Sequence, residues 1–304
     1  MHRAPVSVHC DRTPCQAPPV CTAEKAMIRK KTPSRRRIYT LHGQYRFITP
    51  EWEDAIARSS LGNLDEWSVF DAGERLVGGP HEKNQVSRVD TDQGRVIFKR
   101  YSIGSSWRYF MRRSRAVGEW AGLTALAGIG IPVPERVGFG EDRQFGRLVG
   151  GYLLIRELES AMDLTTFARE VWSAMKPPEK QAVLSEIRSK LFGLVKKAHH
   201  NHLFHRDLTW NNILVEKKTD GYKLWFIDCP RFKHRRIGRT HLQMVELSCL
   251  TKEAMGILTV TERYRSLVIF LDGDRVRARK IFRWITARHA RSAMRHRLKE
   301  KGDR

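Results

Sequence analysis

The spacing of apolar residues along the chain predicts strands and one helix first, and then a largely helical second half. Apolar runs broken by turn residues predict three strands within residues 68–101 and another strand over 151–158. Apolar positions three and four residues apart predict a helix over 114–126. A longer helix begins at Pro177-Pro178, since proline is favoured in a first helical turn, and runs to the histidines near residue 200. Further helices are predicted over 242–255, 260–271 and 276–294.

Residues 1–37 lack apolar periodicity and are predicted to form a basic, disordered tail. The segment holds five prolines and three consecutive arginines. Cys10, Cys15 and Cys21 invite a zinc site, but four and five residues separate them instead of the two that are usual in structural sites. We therefore expect no metal there, and we expect order to begin near Ile38.

Charge is the outlying property of the composition, because the 304 residues carry a formal net charge of +23. Residues 1–40 hold nine Lys/Arg against two Asp/Glu, and residues 274–304 hold twelve against three. Basic ends suit a membrane surface that bears anionic lipid, although a merely solvated tail is an equal alternative for the N-terminus. Nucleic acid is not an expected partner, because no base-reading motif is present and aromatic residues are not interleaved with the basic runs.

Two absences in the sequence bear on where the protein is expected to reside. No apolar run approaches the ~18–20 residues of a membrane-spanning helix. The first residues lack the apolar core of a secretory leader. We therefore expect a cytoplasmic protein whose cysteines are thiols.

A segment in the second half carries the pattern H-R-D-L-x-x-x-N. Residues 203–214 read Leu-Phe-His-Arg-Asp-Leu-Thr-Trp-Asn-Asn-Ile-Leu, so that Asp207 precedes Asn212 by five residues. Asp228 ends an apolar run sixteen residues later. Phosphoryl transfer needs a carboxylate that orients and deprotonates the attacking hydroxyl, and oxygen ligands that hold Mg²⁺ against the phosphates. The spacing predicts Asp207 as the base, with Asn212 and Asp228 as metal ligands.

Two charged residues upstream fit the same chemistry. Lys99 lies in an apolar strand, and Glu119 follows twenty residues later in the predicted helix. A strand lysine paired with a helix glutamate positions the α- and β-phosphates of ATP in kinases. We therefore expect Lys99 and Glu119 to form an ion pair.

Two connecting segments are predicted to contact the nucleotide. The strand over 151–158 ends at the natural hinge, where the backbone at Glu157 and Leu158 is expected to meet the adenine edge. The polar turn over 77–84 occupies the place of a phosphate-covering loop, but it does not match G-x-G-x-x-G. The turn alone is therefore weak evidence, and the groups that would contact phosphate are not identified by it.

In their serial order these motifs make the chain resemble the lipopolysaccharide kinase (Kdo/WaaP) family over roughly residues 70–250. The matching pieces are Asn-Gln-Val-Ser-Arg-Val (84–89), Phe-Lys-Arg-Tyr (98–101), Ser-Arg-Ala-Val-Gly-Glu-Trp (114–120), Gly-Ile-Pro-Val-Pro (130–134), His199, the HRDLTWNNIL block and Phe-Ile-Asp-Cys-Pro-Arg (226–231). The resemblance implies an ATP- and Mg²⁺-dependent kinase of a heptose or Kdo sugar in the lipopolysaccharide inner core.

The same resemblance implies an α+β, protein-kinase-like fold with two lobes. Residues 38–158 would form a small lobe of antiparallel strands with one long helix, and residues 159–304 a larger helical lobe that ends in the basic helix. In this fold Lys99 would bind phosphate, and Glu119 would hold the lysine in place.

The segment after Asp228 departs from the pattern of protein kinases. Cys229-Pro230 stand in place of Phe-Gly and no Ala-Pro-Glu follows, so the long activation segment that seats peptide substrates is not evident. Instead comes a basic run formed by Arg231, Lys233, His234, Arg235, Arg236 and Arg239. Beside the γ-phosphate, such a run suits an acceptor that is already anionic, such as a glycolipid with carboxylate or phosphate groups. A solvated surface strip is the alternative.

Other functions remain open at this point. A Ser/Thr protein kinase or another small-molecule kinase would use the same residues, and a scaffold could keep the fold without catalysis. The missing Ala-Pro-Glu weighs against the first, and the occupation of all five catalytic positions weighs against the last. We expect a kinase that binds peripherally to the inner face of the cytoplasmic membrane through its basic ends.

Overall fold

A computed structural model describes residues 42–77, 84–102, 110 and 112–302, with side chains described as far as residue 295. The predicted tail, its three cysteines and most of the turn over 77–84 lie outside these residues. The strands are β1 Gly43–Ile48, β2 Glu74–Val77, β3 Asn84–Thr91, β4 Gly94–Ser102, β5 Arg136–Gln144, β6 Arg147–Arg156, β7 Ala161–Asp163, β8 Leu203–Phe204, β9 Ile213–Lys218, β10 Gly221–Phe226 and β11 Lys233–His234. The helices are α1 Glu53–Arg58, α2 Arg115–Gly128, α3 Leu164–Thr166, α4 Pro177–His200, α5 Arg239–Ala254, α6 Val260–Phe270 and α7 Arg275–Gly302.

The first lobe is built on a six-stranded antiparallel sheet with the order β1-β5-β6-β4-β3-β2. The three strands predicted within 68–101 are present as β2, β3 and β4. Their first boundary was wrong, because residue 68 ends a 3₁₀ turn over Leu64–Ser68 and β2 begins only at Glu74. The strand predicted over 151–158 is β6, which begins earlier and ends at Arg156.

Strand β1 and helix α1 were not predicted. The strand has two alternating core residues, Tyr45 and Phe47, but Arg46 between them is also buried. Its guanidinium lies 2.6 Å from the Asp142 carboxylate and 4.6 Å from the centroid of the Tyr152 ring. A buried arginine paired in this way hides the alternation that identifies a strand.

Helix α2 lies across the sheet and contacts the segment that follows Asp228. Its N-cap Ser114 accepts a hydrogen bond from the Val117 N–H, which explains why the helix begins where the sequence predicts. Two glycines on its buried face permit a close backbone approach. A Cβ at Gly118 would lie 2.6 Å from the Pro230 carbonyl oxygen, and one at Gly122 the same 2.6 Å from that of Cys229. The Cys229-Pro230 sequence thus packs directly against α2.

The second lobe is helical, as predicted, with two small antiparallel sheets. Helix α4 spans 24 residues and buries Ile187, Leu191 and Val195 along one stripe. One apolar cluster joins these residues to Leu123 and Leu126 of α2, so the core is continuous between the lobes. The α+β, two-lobed fold expected from the sequence is confirmed.

The basic helix α7 is part of this lobe and not an appended tail. Ala278, Ile281 and Ile285 are buried, so one face of the helix packs into the core. Among the described residues, no helix combines the length and apolar character needed to cross a bilayer.

Candidate active site

The predicted ion pair between β4 and α2 is present. The Lys99 Nζ lies 2.7 Å from Glu119 Oε1, and the glutamate side chain is 0% exposed. Tyr101, two residues along the same strand, donates from its hydroxyl to Glu119 Oε2 at 2.5 Å. The lysine and the tyrosine thus satisfy one carboxylate oxygen each, which is what a fully buried carboxylate requires.

The electrostatics of this pair keep the lysine charged. Burial is the largest single influence on the Lys99 pKa and acts to lower it, but the nearby Glu119 and Asp228 carboxylates raise it, and the net pKa lies above its ordinary value. Burial and the Glu119 charge raise the pKa of Tyr101 as well, so its hydroxyl stays protonated as a donor. The site therefore presents a cation, the charge that a phosphate group would need.

The loop between β8 and β9 holds Asp207 and Asn212 in one hydrogen-bonded turn. The Asn212 side-chain amide donates to the Asp207 carbonyl oxygen at 2.7 Å, and the Thr209 N–H donates to the same oxygen at 2.9 Å. The Ile227 N–H, just before Asp228, donates to the Asn212 carbonyl at 3.1 Å. Because the Asn212 Nδ2 is engaged inside the loop, its Oδ1 is the atom left to face a ligand.

Asp228 lies between two cations. Its carboxylate is 3.9 Å from Lys99 Nζ and 3.6 Å from the Arg115 guanidinium. The residue adopts a left-handed φ of 55°, a strain that non-glycine residues tolerate mainly at functional sites and turns, and aspartate better than most. The structure thus brings Lys99, Glu119 and Asp228 together, as a phosphate- and metal-binding site would need.

Arg115 was missed by the sequence reasoning. It is the first residue of α2, and its guanidinium also lies 5.3 Å from the centroid of the Tyr101 ring. The only signal for it was its place beside the N-cap in the Ser-Arg-Ala segment that carries the family resemblance. At the start of a helix an arginine is otherwise unremarkable and reads as solvent-exposed.

Glu246 is a second residue that the sequence reasoning missed. It lies on α5 with 2% exposure, and its Oε1 accepts the Arg206 backbone N–H at 2.8 Å. Its Oε2 bonds the His199 Nε2 at the end of α4. Arg206 has a left-handed φ of 68°, so the buried carboxylate holds a strained residue directly before Asp207. An acidic residue on the apolar face of a predicted helix was the available signal.

The hinge places Glu157 and Leu158 just beyond β6. The Glu157 side chain is ion-paired with Arg88 at 2.6 Å, and its N–H donates to the Arg95 carbonyl at 2.8 Å. The Leu158 carbonyl accepts from the Ala161 N–H at 3.0 Å. Among the described residues, the Glu157 carbonyl and the Leu158 N–H have no backbone partner, so these two groups of the turn are left to meet a ligand edge.

The basic run after Asp228 lies beside the predicted catalytic loop, which is the loop between β8 and β9 that holds Asp207 and Asn212. Lys233 and His234 form β11, which pairs with β8 immediately before His205-Arg206-Asp207. The Arg235 N–H then donates to the His202 carbonyl at 2.9 Å. Arg231, Arg235 and Arg236 are exposed, and Lys233 is half-buried. Backbone pairing at Lys233, His234 and Arg235 thus holds the run with the four predicted acceptor-binding residues next to the loop.

A double-mutant cycle should reveal coupling between Lys99 and Glu119. We expect Lys99→Met to weaken nucleotide binding strongly and Glu119→Gln to do so more mildly, because the glutamate acts only through the lysine. Buried partners in contact typically couple by about 0.5–3 kcal/mol. Nucleotide affinity measured by calorimetry for both single variants and the double variant tests this. Effects that add within about 0.5 kcal/mol would show that the pair does not act as a unit.

Comparisons with known proteins agree with this geometry. The model of the lipopolysaccharide kinase (Kdo/WaaP) family matches residues 81–269. A 3-deoxy-D-manno-octulosonic acid kinase of Pasteurella multocida strain Pm70 is 27% identical over 150 residues, which cover 46% of this chain and 58% of that protein. The kinase of the same name from Haemophilus influenzae strain PittEE is 25% identical over 168 residues, 51% of this chain and 66% of that protein. The match thus spans less than two thirds of the length of either relative.

A solved structure shares the fold. The structure of WaaP in complex with acyl carrier protein superposes with a TM-score of 0.58 at 20% identity, covering 81% of this chain and 96% of that one. The family model covers well over half of the chain and includes every predicted catalytic position from Lys99 to Asp228. The chain therefore belongs to the lipopolysaccharide kinase (Kdo/WaaP) family.

Proposed function

We propose that the chain is an ATP-dependent kinase that phosphorylates a sugar hydroxyl, of heptose or Kdo type, in the lipopolysaccharide inner core or a related lipid-linked glycan. The observation that carries the proposal is the Lys99–Glu119 ion pair, closed at 2.7 Å, with Asp228 3.9 Å from the same lysine. Kinases need this arrangement to position the phosphates of ATP. Membership of the family supplies the class of acceptor.

In the proposed reaction Asp207 orients the acceptor hydroxyl and takes its proton, while Lys99 binds the α- and β-phosphates. The Glu157 carbonyl and the Leu158 N–H would bind the adenine edge. Each of these proposed roles uses only side chains or backbone groups that remain available to a ligand in the fold. Glu119 and Glu246 touch neither substrate and act by positioning Lys99 and the catalytic loop.

The residues fit a magnesium ion. The Asn212 Nδ2 is used in the hydrogen bond to the Asp207 carbonyl, so the Oδ1 is the atom available to a metal ion. The Asp228 carboxylate is an oxygen ligand of the kind that Mg²⁺ prefers. These two side chains would hold the ion, which when bound neutralises negative charge on the phosphates. Lys99 and Arg115 lie beside the same carboxylate, where they would contact the phosphate oxygens of a bound nucleotide.

For the acceptor, we propose that Arg231, Lys233, Arg235 and Arg236 bind carboxylate or phosphate groups of the glycolipid. Three of the four are exposed, and β11 holds the run beside the loop that carries Asp207. Guanidinium groups bind such anions in a bidentate manner, and lysine binds them as a point charge. A peptide acceptor would gain nothing from this concentration of positive charge unless it were acidic.

Phosphate transfer from γ-labelled ATP to a panel of acceptors tests the function. The panel holds extracted lipopolysaccharide, its delipidated core oligosaccharide, a generic protein substrate and a neutral monosaccharide. We expect label on the first two, at a sugar hydroxyl, and not on the others. Label on protein serine or threonine alone would favour a protein kinase. Nucleotide binding without transfer to any acceptor would favour a scaffold.

We further propose that the protein binds the cytoplasmic face of the membrane peripherally, through α7. Its buried face packs into the lobe, whereas these basic residues of the helix are exposed: Arg275, Arg279, Lys280, Arg283, Arg291 and Arg295. Each basic residue near an anionic surface contributes about 1 kcal/mol of binding at low salt. The helix thus offers one cationic face to lipid while the other holds it in the fold.

Neutralising α7 should therefore weaken membrane binding without unfolding the protein. We expect replacement of Arg275, Arg291 and Arg295 by glutamine to reduce binding to anionic vesicles by on the order of 10²-fold, since each loses about 1 kcal/mol. Co-sedimentation with vesicles at low and high salt measures this binding. Activity on delipidated oligosaccharide is the control and should be unchanged. Glutamine replacement of Lys217, Lys218 and Lys223, which lie on β9 and β10, is a matched change elsewhere. If neither the α7 replacements nor added salt weakens binding to anionic vesicles, the docking role is excluded.

A further inference from the structure

Four polar side chains form one connected group between β4 and α2. Lys99 and Tyr101 are two residues apart on the strand, so they point to the same side of the sheet. Arg115 and Glu119 are four residues apart on the helix, so they lie about one turn apart on the same side of it. The spacing K-x-Y on the strand thus faces the spacing R-x-x-x-E on the helix, and each of the four side chains contacts another of them.

Tyr101 is the centre of this group. Its hydroxyl donates to Glu119 Oε2 at 2.5 Å, while the other oxygen of that carboxylate accepts from Lys99 Nζ at 2.7 Å. The Arg115 guanidinium lies 5.3 Å from the centroid of the Tyr101 ring, within the range of a cation–π contact. Tyr101 itself is only 7% exposed, so packing fixes its position. One side chain therefore orients both the carboxylate that holds Lys99 and the guanidinium of Arg115.

The two cations of the group engage different oxygens of the Asp228 carboxylate. Lys99 Nζ lies 3.9 Å from Oδ1, and Arg115 Nη2 lies 3.6 Å from Oδ2. In kinases the strand lysine binds the α- and β-phosphates, while the metal ion that the aspartate holds bridges the β- and γ-phosphates. Arg115 is thus a second cation beside the proposed metal-binding carboxylate, on the oxygen that Lys99 does not approach.

The packing of α2 places Arg115 toward the proposed acceptor side of Asp228. Gly118 is three residues further along the helix and therefore neighbours Arg115 on its surface. A Cβ at Gly118 would lie 2.6 Å from the Pro230 carbonyl oxygen, so this part of the helix touches the segment that follows Asp228. Pro230 leads directly into Arg231, the first residue of the basic run. Because the γ-phosphate is the group that passes to the acceptor, it is the phosphate expected on this side.

Arg115 has hydrogen-bond donors left for a ligand. Its side chain is 38% exposed, and its guanidinium donates no hydrogen bond to the part of the chain that the structure describes. An ion pair that is partly exposed and 3.6 Å long contributes little to stability. Folding therefore gives no strong reason for an arginine at this position, whereas a planar guanidinium that can donate to two oxygens at once suits a phosphate group.

We propose that Arg115 binds the γ-phosphate of ATP and stabilises its charge during transfer, and that Tyr101 positions Arg115 together with the Lys99–Glu119 pair. In the transfer the bond between the γ-phosphorus and the bridging oxygen breaks, and its electron pair leaves with ADP. A bond from the acceptor oxygen to the same phosphorus forms, and the acceptor proton goes to Asp207. The catalytic part of this inference rests on the proposed kinase function, whereas the binding part requires only that the protein binds ATP.

Calorimetric titration of the full chain with ATP and with ADP, both with Mg²⁺ present, tests the role of Arg115. Arg115→Gln should weaken the affinity for ATP about tenfold, the loss expected for one charge-assisted hydrogen bond, and that for ADP by less than about twofold. Turnover should fall by on the order of 10²–10³-fold, as when one donor to developing charge is removed. Arg113→Gln removes the same charge from an exposed position two residues earlier and should change none of these quantities. Equal losses for ATP and ADP, or no loss for either, would overturn the assignment.

Two changes at Tyr101 separate its positioning roles. Tyr101→Phe keeps the ring beside Arg115 and removes the donor to Glu119, so the affinities for ATP and ADP should fall together and their ratio should stay that of the wild type. Tyr101→Leu also removes the ring and should shift the ratio toward that of Arg115→Gln. If Tyr101→Leu does not fold, Tyr101→Phe still decides, because a changed ratio or two unchanged affinities in that variant would overturn the positioning role.

Failure of this inference is distinguishable from failure of the proposed function. A wild-type protein that binds ATP but transfers phosphate to no acceptor would overturn the proposed kinase activity, and the ratio of ATP to ADP affinity in Arg115→Gln would still decide whether Arg115 binds the γ-phosphate. A wild-type protein that transfers phosphate, with the same ratio in Arg115→Gln as in the wild type, would overturn this inference alone. A wild-type protein that binds neither nucleotide would overturn both.

Discussion

Asp207→Ala is expected to reduce turnover by on the order of 10²–10⁴-fold while leaving ATP affinity close to that of the wild type. The catalytic loop holds Asp207 through its backbone, with the Asn212 amide and the Thr209 N–H both on its carbonyl oxygen. Removal of the side chain therefore leaves the loop intact. The carboxylate acts on the acceptor hydroxyl and not on the nucleotide, so the loss should fall on the chemical step.

Steady-state turnover on lipopolysaccharide, together with calorimetric ATP binding, separates these effects. Asp220→Ala, in the exposed turn between β9 and β10, is a matched control that should keep full activity. Asp207→Ala with activity similar to the wild type would remove Asp207 as the base. Equal losses of turnover and ATP affinity would instead indicate that the residue supports the nucleotide site.

The parts of the fold that the sequence predicts are those with strong local signals. Helix α4 starts at Pro177, as predicted, because two prolines fix the first turn. Helix α2 starts after Ser114 because that side chain caps it. Strand β1 was missed, because the buried Arg46 interrupts its alternation of apolar and polar residues. The partner of this arginine, Asp142, lies far along the chain. A local pattern cannot reveal a pairing between distant residues.

The same distinction holds for the site. The serial order of Lys99, Glu119, Asp207, Asn212 and Asp228 was readable because each lies in a short pattern of its own. The ion pair expected from the first two is present, while the catalytic roles stay predictions. Arg115 and Glu246 were missed because their contacts with the site form only in the tertiary fold. Glu246 meets His199 and Arg206 across 47 and 40 residues of sequence.

The chemistry of the segment after Asp228 also depends on the fold. Cys229-Pro230 in place of Phe-Gly reads in the sequence only as a departure from protein kinases. In the structure both carbonyls pack against Gly118 and Gly122 of α2, where a Cβ would clash. Burial and the neighbouring carboxylates raise the pKa of the Cys229 thiol, so it stays neutral in this contact. The helix that carries Glu119 is thereby fixed against the strand end that carries Asp228.

Glu246→Ala is expected to cause the largest loss of stability among single changes at the site. The substitution leaves two groups without an acceptor, the buried His199 Nε2 and the part-buried Arg206 N–H. An unsatisfied buried group costs about 1–3 kcal/mol and a part-buried one less, so the free energy of unfolding should fall by roughly 2–4 kcal/mol. Arg206 would also lose the bond that stabilises its left-handed backbone, so the loop before Asp207 should become mobile.

Denaturant unfolding and turnover at a temperature where the variant is folded measure both consequences. Glu246→Gln should be milder, since its amide oxygen can still accept from the Arg206 N–H. Glu253→Ala, a half-buried position on the same helix, controls for loss of a carboxylate from α5 and should change the free energy of unfolding by less than about 1 kcal/mol. If Glu246→Ala unfolds like this control and turns over normally, the buried carboxylate does not support the catalytic loop.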